Sequence, residues 1–281
     1  MNPGAVWAFA QYEVRRATAR KKVLALVVIT ILIDTIPYYL LKSAGSSLLP
    51  PQDYPYVWVF GIFVPQGFFL PFTALLIAAG SMSEEYEQGT AEVLLSKPVT
   101  RNDYFAGKYL GGYLLLTAVI LLNATLSLAS ATFTYGTQSA LGVLPEVVLS
   151  QVFSALLFYS VAFMSGELVR RSSLSYIIAS AVYFTSEIAG IYLRVIYGLT
   201  GNAFYQQLNA YLPTTPVSSL PLLVGQPGLP SAAQDILKFI GTGATETSVA
   251  LSAGLIALYA GAAVAIALTF FNRVDVAKRV A

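Results

Sequence analysis

VALSAGLIALYAGAAVAIALTFF, residues 249–271, runs for 23 positions without a charged side chain. A bilayer's hydrocarbon core is about 30 Å thick and takes about 20 apolar residues of helix to cross. The stretch therefore reads as a membrane span. Working back toward the N-terminus, five more stretches meet the same test: 23–41, 56–79, 106–133, 144–165 and 174–197. The second carries Pro65 and Pro71, which kink a helix but are tolerated inside a membrane bundle. The basic segment 1–22 ahead of the first apolar run has the outline of a signal peptide. The length of that run, and the five spans behind it, make it a retained span instead. The expected fold is an all-α integral membrane protein with six transmembrane helices.

Composition agrees. Hydrophobic residues make up 56% of the 281 positions and charged residues 11%, against roughly a quarter charged in soluble domains. A net charge of +2 gives no basis for binding nucleic acid, and the partner implied is the lipid bilayer. The absence of cysteine excludes disulfides, thiolate metal sites and Cys nucleophiles. The absence of histidine removes the usual haem and zinc ligands and the Ser–His triad. Neither catalytic residues nor a metal site are expected.

The cations set the orientation. With the N-terminus inside, one side collects Arg15, Arg16, Arg20, Lys21, Lys22, Lys97, Arg101, Lys108, Arg170, Arg171, Arg273, Lys278 and Arg279. The other holds Lys42, Arg194 and Lys238. The reading is N-in and C-in. Residues 6–22, with Trp7, Phe9 and Val14 among Arg and Lys, suit an amphipathic helix lying in the inner interface. Outside, residues 198–248 form the longest connection, rich in proline, with a short helix expected at 231–240. Residues 220–224 are too short to span and are expected to rest on the membrane surface.

The inner connection at 80–105 is the most articulated part of the chain. Residues 80–113 read GSMSEEYEQGTAEVLLSKPVTRNDYFAGKYLGGY. Ser81 with Glu84 fits a capping box that starts a helix, with Glu85 and Glu87 adding charge to its first turns. Gly89 interrupts, and Thr90 to Ser96 makes a short helix presenting Val93, Leu94 and Leu95 together. Pro98 stops it, and Thr100 with Asp103 caps the next long helix. A short helix held at the tip of two long ones is a docking knob for another protein.

This stretch resembles the permease subunits of type-2 ABC transporters. The residues that carry the resemblance are Glu84, Glu85, Glu87, Gly89-Thr90, Glu92, Leu94-Leu95, Pro98-Val99, Arg101 and Gly107-Lys108, with Ser83 where glycine is common. The close match covers about 30 residues. The six-span topology and the ending Phe271-Asn272-Arg273-Val274-Asp275 agree with it. The resemblance implies that Thr90 to Ser96 is a coupling helix docking into a separate ATPase subunit, with the acidic 84–87 turn packed near it and near the N-terminal helix. It implies a second contact at 166–173 through Glu167, Arg170 and Arg171. ATP and Mg would be bound by the partner, since this chain has no G-x-x-x-x-G-K-[ST] loop. A second permease subunit, identical or related, would complete an exporter in the plasma membrane.

Charges inside a span are functional candidates by default. Asp34 lies about 18 Å along the first span and Glu187 about 20 Å along the fifth, at 1.5 Å per residue. Arg194 follows Glu187 on the same face. Either they line a polar pathway, or Asp34 marks a frayed helix end before Pro37 and Arg194 snorkels to the headgroups. Gln66, Asn123 and Gln151 are expected to bond between helices. An alternative function is a membrane scaffold that does not transport, which would not need an ATPase-docking loop.

Overall fold

The computed structural model describes residues 2–19, 21–45, 49–96, 99–239 and 247–273, with the backbone alone at 22, 23, 238 and 239. Every regular element among them is helical. In chain order these are α1 (Pro3–Thr18), α2 (Lys21–Ser43), α3 (Trp58–Gly67), α4 (Phe69–Gln88), α5 (Thr90–Leu95) and α6 (Arg101–Tyr135). There follow α7 (Leu144–Val169), α8 (Ser172–Thr200), α9 (Ala203–Ala210), α10 (Thr214–Gly225), α11 (Ser231–Phe239) and α12 (Val249–Arg273). Five helices (α2, α6, α7, α8 and α12) are long and apolar enough to cross a membrane. The bent pair α3–α4 makes a sixth if it counts as one span.

The long helices alternate in direction. One end of the bundle, here the basal end, gathers α1, α5 and the starts of α2, α6 and α8. α7 is the most buried long helix and packs on α4, α12, α10 and α8. α2, α8 and α12 lie at the periphery and leave large apolar side chains such as Ile29, Ile188 and Leu258 exposed.

The second span is not one kinked helix but two helices meeting at 50°. The break falls at Phe68, between the two prolines (φ −134°, ψ −51°). Pro71 sits in the first turn of α4, where its missing N–H has no intrahelical partner to lose. The carbonyl of Gly67, four residues earlier, accepts instead from the Tyr183 hydroxyl of α8 at 2.7 Å. Tyr183→Phe should leave that carbonyl without this donor and lower stability by about 0.5–1.5 kcal/mol. An unchanged thermal midpoint would mean that another donor reaches Gly67.

Three expectations are corrected. Ser81 does not start a helix, because α4 runs unbroken through Ser81 and Glu84 to Gln88. The connection between α4 and α6 is accordingly 89–100, with α5 inside it. Residues 220–224 do not rest on a surface: they belong to α10, whose Val217, Leu220 and Leu222 are buried among α7, α8 and α12. A short helix can sit at that depth because neighbours satisfy its polar groups, as Gln66 Nε2 does in donating to the Val217 carbonyl at 2.8 Å. Asp34 is not at a frayed end, since α2 continues through Pro37 to Ser43 and Asp34 is fully buried.

Other expectations hold. Gly89 adopts a left-handed conformation (φ +69°) that ends α4 and opens α5. Thr100 Oγ1 accepts from the Asp103 backbone N–H at the start of α6. Asn123 donates to Asp34, and Gln151 donates to the Ile62 carbonyl at 2.8 Å. The helix expected at 231–240 is α11, its last residue lying outside the described residues.

Candidate functional site

α1 is laid against the start of α6 by an absence of side chain. A Cβ on Gly107 would come within 2.7 Å of the Val6 carbonyl oxygen, and one on Gly111 within 2.6 Å of the Ala10 carbonyl oxygen. The two glycines, four apart, let the backbones touch as small residues do between membrane helices. Asn2 caps α1 and donates its own backbone N–H to Asp103 Oδ1 at 2.9 Å, tying the two helix starts together. Phe9 is thereby turned inward, edge-on to Tyr104, rather than outward to lipid, whereas Trp7 remains exposed.

That docking buries Glu13 beside Lys108 of α6 and Glu85 of α4. Lys108 is fully buried and pairs with both carboxylates, at 2.7 Å for Glu85 Oε1. Arg16 forks onto Glu13 through Nε at 3.1 Å and Nη2 at 2.8 Å, and lies 3.5 Å from Glu85. Arg16 Nη2 also donates to the Ser81 carbonyl, and the Ser81 hydroxyl to Glu13 at 2.9 Å. Tyr104 donates to Glu85. Two carboxylates thus face two cations in a closed network joining α1, α4 and α6. Burial alone would push Glu13 up, but Lys108 and Arg16 outweigh it and hold the carboxyl below its ordinary range.

The rest of the acidic run ties α4 to the other side of the bundle. Glu84 accepts from Tyr176 of α8 at 3.2 Å. Glu87 is exposed but caps α8 from outside, accepting from the Ser172 backbone N–H at 2.9 Å and hydroxyl at 2.6 Å. Tyr86 donates to Glu167 of α7 at 2.6 Å, and Arg170 reaches Glu167 at 3.4 Å. The Arg170 guanidinium lies over the rings of Tyr86 (4.5 Å) and Phe270 of α12 (5.5 Å). Arg170 itself takes a left-handed conformation (φ +56°) as it closes α7, and Arg171, beside it, is exposed. Arg101 donates to the Phe271 carbonyl at the last turn of α12, where a cation also meets the helix dipole.

α5 projects from this platform. The Thr90 hydroxyl reaches the Glu85 carbonyl at 3.4 Å, and Leu94 and Leu95 pack back against the bundle. The three apolar residues are therefore not presented together: Val93 alone is largely exposed (64%), with Glu92 and Ser96 beside it. Pro98 lies outside the described residues. Glu187 and Arg194 form an ion pair at 3.6 Å on the exposed side of α8, far from the network.

Sequence reasoning singled out the acidic run with Lys108, Glu167 and Arg170, but not Glu13 or the tyrosines that join them. Glu13 carried a signal, being the sole carboxylate in residues 1–22, and Gly107 with Gly111 showed the small-residue spacing. Nothing local marked Tyr86, Tyr104 or Tyr176.

The family described as "ABC-2 family transporter protein" matches residues 7–276 of the chain. No curated protein matches it.

Proposed function

Because the chain belongs to the ABC-2 transporter family, we propose that it is the membrane permease subunit of an ATP-driven exporter. It is a multi-pass membrane protein, and a transport component rather than a catalyst. In this reading the basal end faces the cytoplasm, both termini lie inside, and the membrane is the plasma membrane. A separate ATPase subunit binds ATP and Mg and docks on α5 and on the 166–173 turn. A second permease subunit completes the path. The observation that carries the docking reading is the contrast at α5: Leu94 and Leu95 anchor the helix while Glu92 and Val93 face outward. The network beneath supports it, since Glu85 links the base of α5 to α1 and α6, and Glu167 links it to α7.

Force applied at α5 would enter the bundle through α4. The ion pairs would spread it to α1 and α6, and the Tyr86–Glu167–Arg170 contacts to α7 and α12.

The test is affinity purification of the tagged chain from native membranes, with mass spectrometry and an ATPase assay on the eluate. The unaltered chain should bring down a P-loop ATPase. Val93→Arg should reduce recovery by about tenfold or more, since an unpaired cation buried in an interface costs upward of about 1.4 kcal/mol. Its own fold should be unaffected, because Val93 is exposed. Equal recovery with Val93→Arg would sink the docking role of α5. No ATPase partner, under conditions that keep membrane complexes intact, would favour a scaffold that does not transport.

A further inference from the structure

Midway along the seam between α2 and α6, Asp34 and Asn123 face one another, both fully buried. Asn123 Nδ2 stands 2.8 Å from Asp34 Oδ1 and 2.8 Å from Oδ2. No cation contacts the carboxyl group among the described residues. On its own helix the nearest ionisable side chain facing the seam is Tyr38, whose hydroxyl is bonded to Ser127 of α6 at 2.6 Å. Tyr135 of α6 is bonded to the Tyr38 carbonyl, and Lys42 to the Thr134 carbonyl, both toward the far end. α3, which also packs here, carries no ionisable residue. Tyr12, Glu13, Arg15 and Arg16 of α1, and Lys108 of α6, are gathered at the basal end, about 20 Å away along the helices.

A charged Asp34 leaves this arrangement unsatisfied in a specific way. One amide nitrogen is shared between two carboxylate oxygens, and Asn123 Oδ1 is buried with no donor. A tilt of the amide that turns Oδ1 as well as Nδ2 toward the carboxyl group sets one amide atom opposite each Asp34 oxygen. With a proton taken from water onto one Asp34 oxygen, the new O–H donates to Asn123 Oδ1 while Nδ2–H donates to the other Asp34 oxygen. Two parallel hydrogen bonds then close a ring, the orphan acceptor is satisfied, and no net charge is left in the apolar seam.

We propose that Asp34 and Asn123 form a proton-binding clasp: a neutral carboxylic acid paired with an amide, holding the first span to the third. The clasp closes only with the proton in place. Water entering the seam would solvate the carboxylate and release the proton, so opening of α2 from α6 and proton loss are the same event. This stands apart from the docking reading and does not depend on it.

The test is infrared spectroscopy of the whole protein in lipid nanodiscs at neutral pH. The chain minus Asp34→Asn should show the carbonyl band of one protonated carboxylic acid, shifting on exchange into D2O. Asn123→Ala should move that band to higher frequency, as the acid loses its partner. Absence of the band in the first difference spectrum overturns the proposal. A band unmoved by Asn123→Ala overturns it equally, and this second variant decides the matter if Asp34→Asn does not fold.

Discussion

Lys108→Met is expected to destabilise the protein by about 3–5 kcal/mol, the cost of breaking a buried ion pair by removing one partner. Methionine fills much of the same space, so the loss is electrostatic. Glu13 and Glu85 would be left facing each other with Arg16 as their cation among the described residues, and Arg16 approaches Glu85 at 3.5 Å. A thermal melt in detergent should record an early transition, and trypsin should cut after Arg16 more readily as α1 lifts away. Neutralising one carboxylate as well should reverse most of the loss, because Glu85→Gln leaves Glu13 paired with Arg16 and restores the charge balance. A Lys108→Met protein that melts with the unaltered chain would refute the buried network. A double variant no better than the single one would show that the lysine stem, not its charge, is what matters.

Gly111→Val should undock α1 by a different route. The new side chain would meet the Ala10 carbonyl oxygen and the Glu13 Cβ, at 2.6 and 2.8 Å from its first carbon. The first of these is backbone and cannot rotate aside, so the helix as a whole has to move. Overpacking of this kind costs about 1–3 kcal/mol. Displacing α1 also stretches the Lys108–Glu13 and Arg16–Ser81 contacts, so the effect should exceed that range. Protection of the Arg16 cleavage site, resolved by mass spectrometry, should fall while the melt of the remaining bundle changes less. Unaltered protection would mean that α1 is held by its charges alone and tolerates a wider gap.

What could be read from the sequence divides along the range of the interaction. The spans were legible because a predominantly apolar run of about 20 residues meets a physical threshold by itself. Gly89 and the Thr100–Asp103 cap were legible because each is settled within three or four residues. Ser81 with Glu84 has the same local spacing and misled for that reason. The Ser81 hydroxyl is engaged by Glu13, 68 positions away, so nothing needs capping and α4 continues. Lys108 meets Glu13 across 95 positions, a distance no local pattern encodes. Length also hides α10, since 12 residues are too few to span and therefore do not register as a bundle element, yet they are buried as one. The outward turn of Val93 against the inward turn of Leu94 and Leu95 was likewise beyond reach, because a six-residue helix shows no face until it has something to lean on.

The joint at Phe68 gives the second span a mechanical character that a straight helix would lack. α4 is a rod of 20 residues, about 30 Å long, with α5 at its tip and the ion pairs clamped near that tip. Its other end stops at the 50° elbow, where the Gly67 carbonyl is held sideways by Tyr183 rather than by the next turn. A push at the tip is carried stiffly to the elbow and no farther, since no continuous ladder of backbone bonds crosses it. Beyond the elbow, α3 answers to α6 and α11 instead. The span works as two levers in series, and what arrives at mid-bundle is a change of angle rather than a displacement.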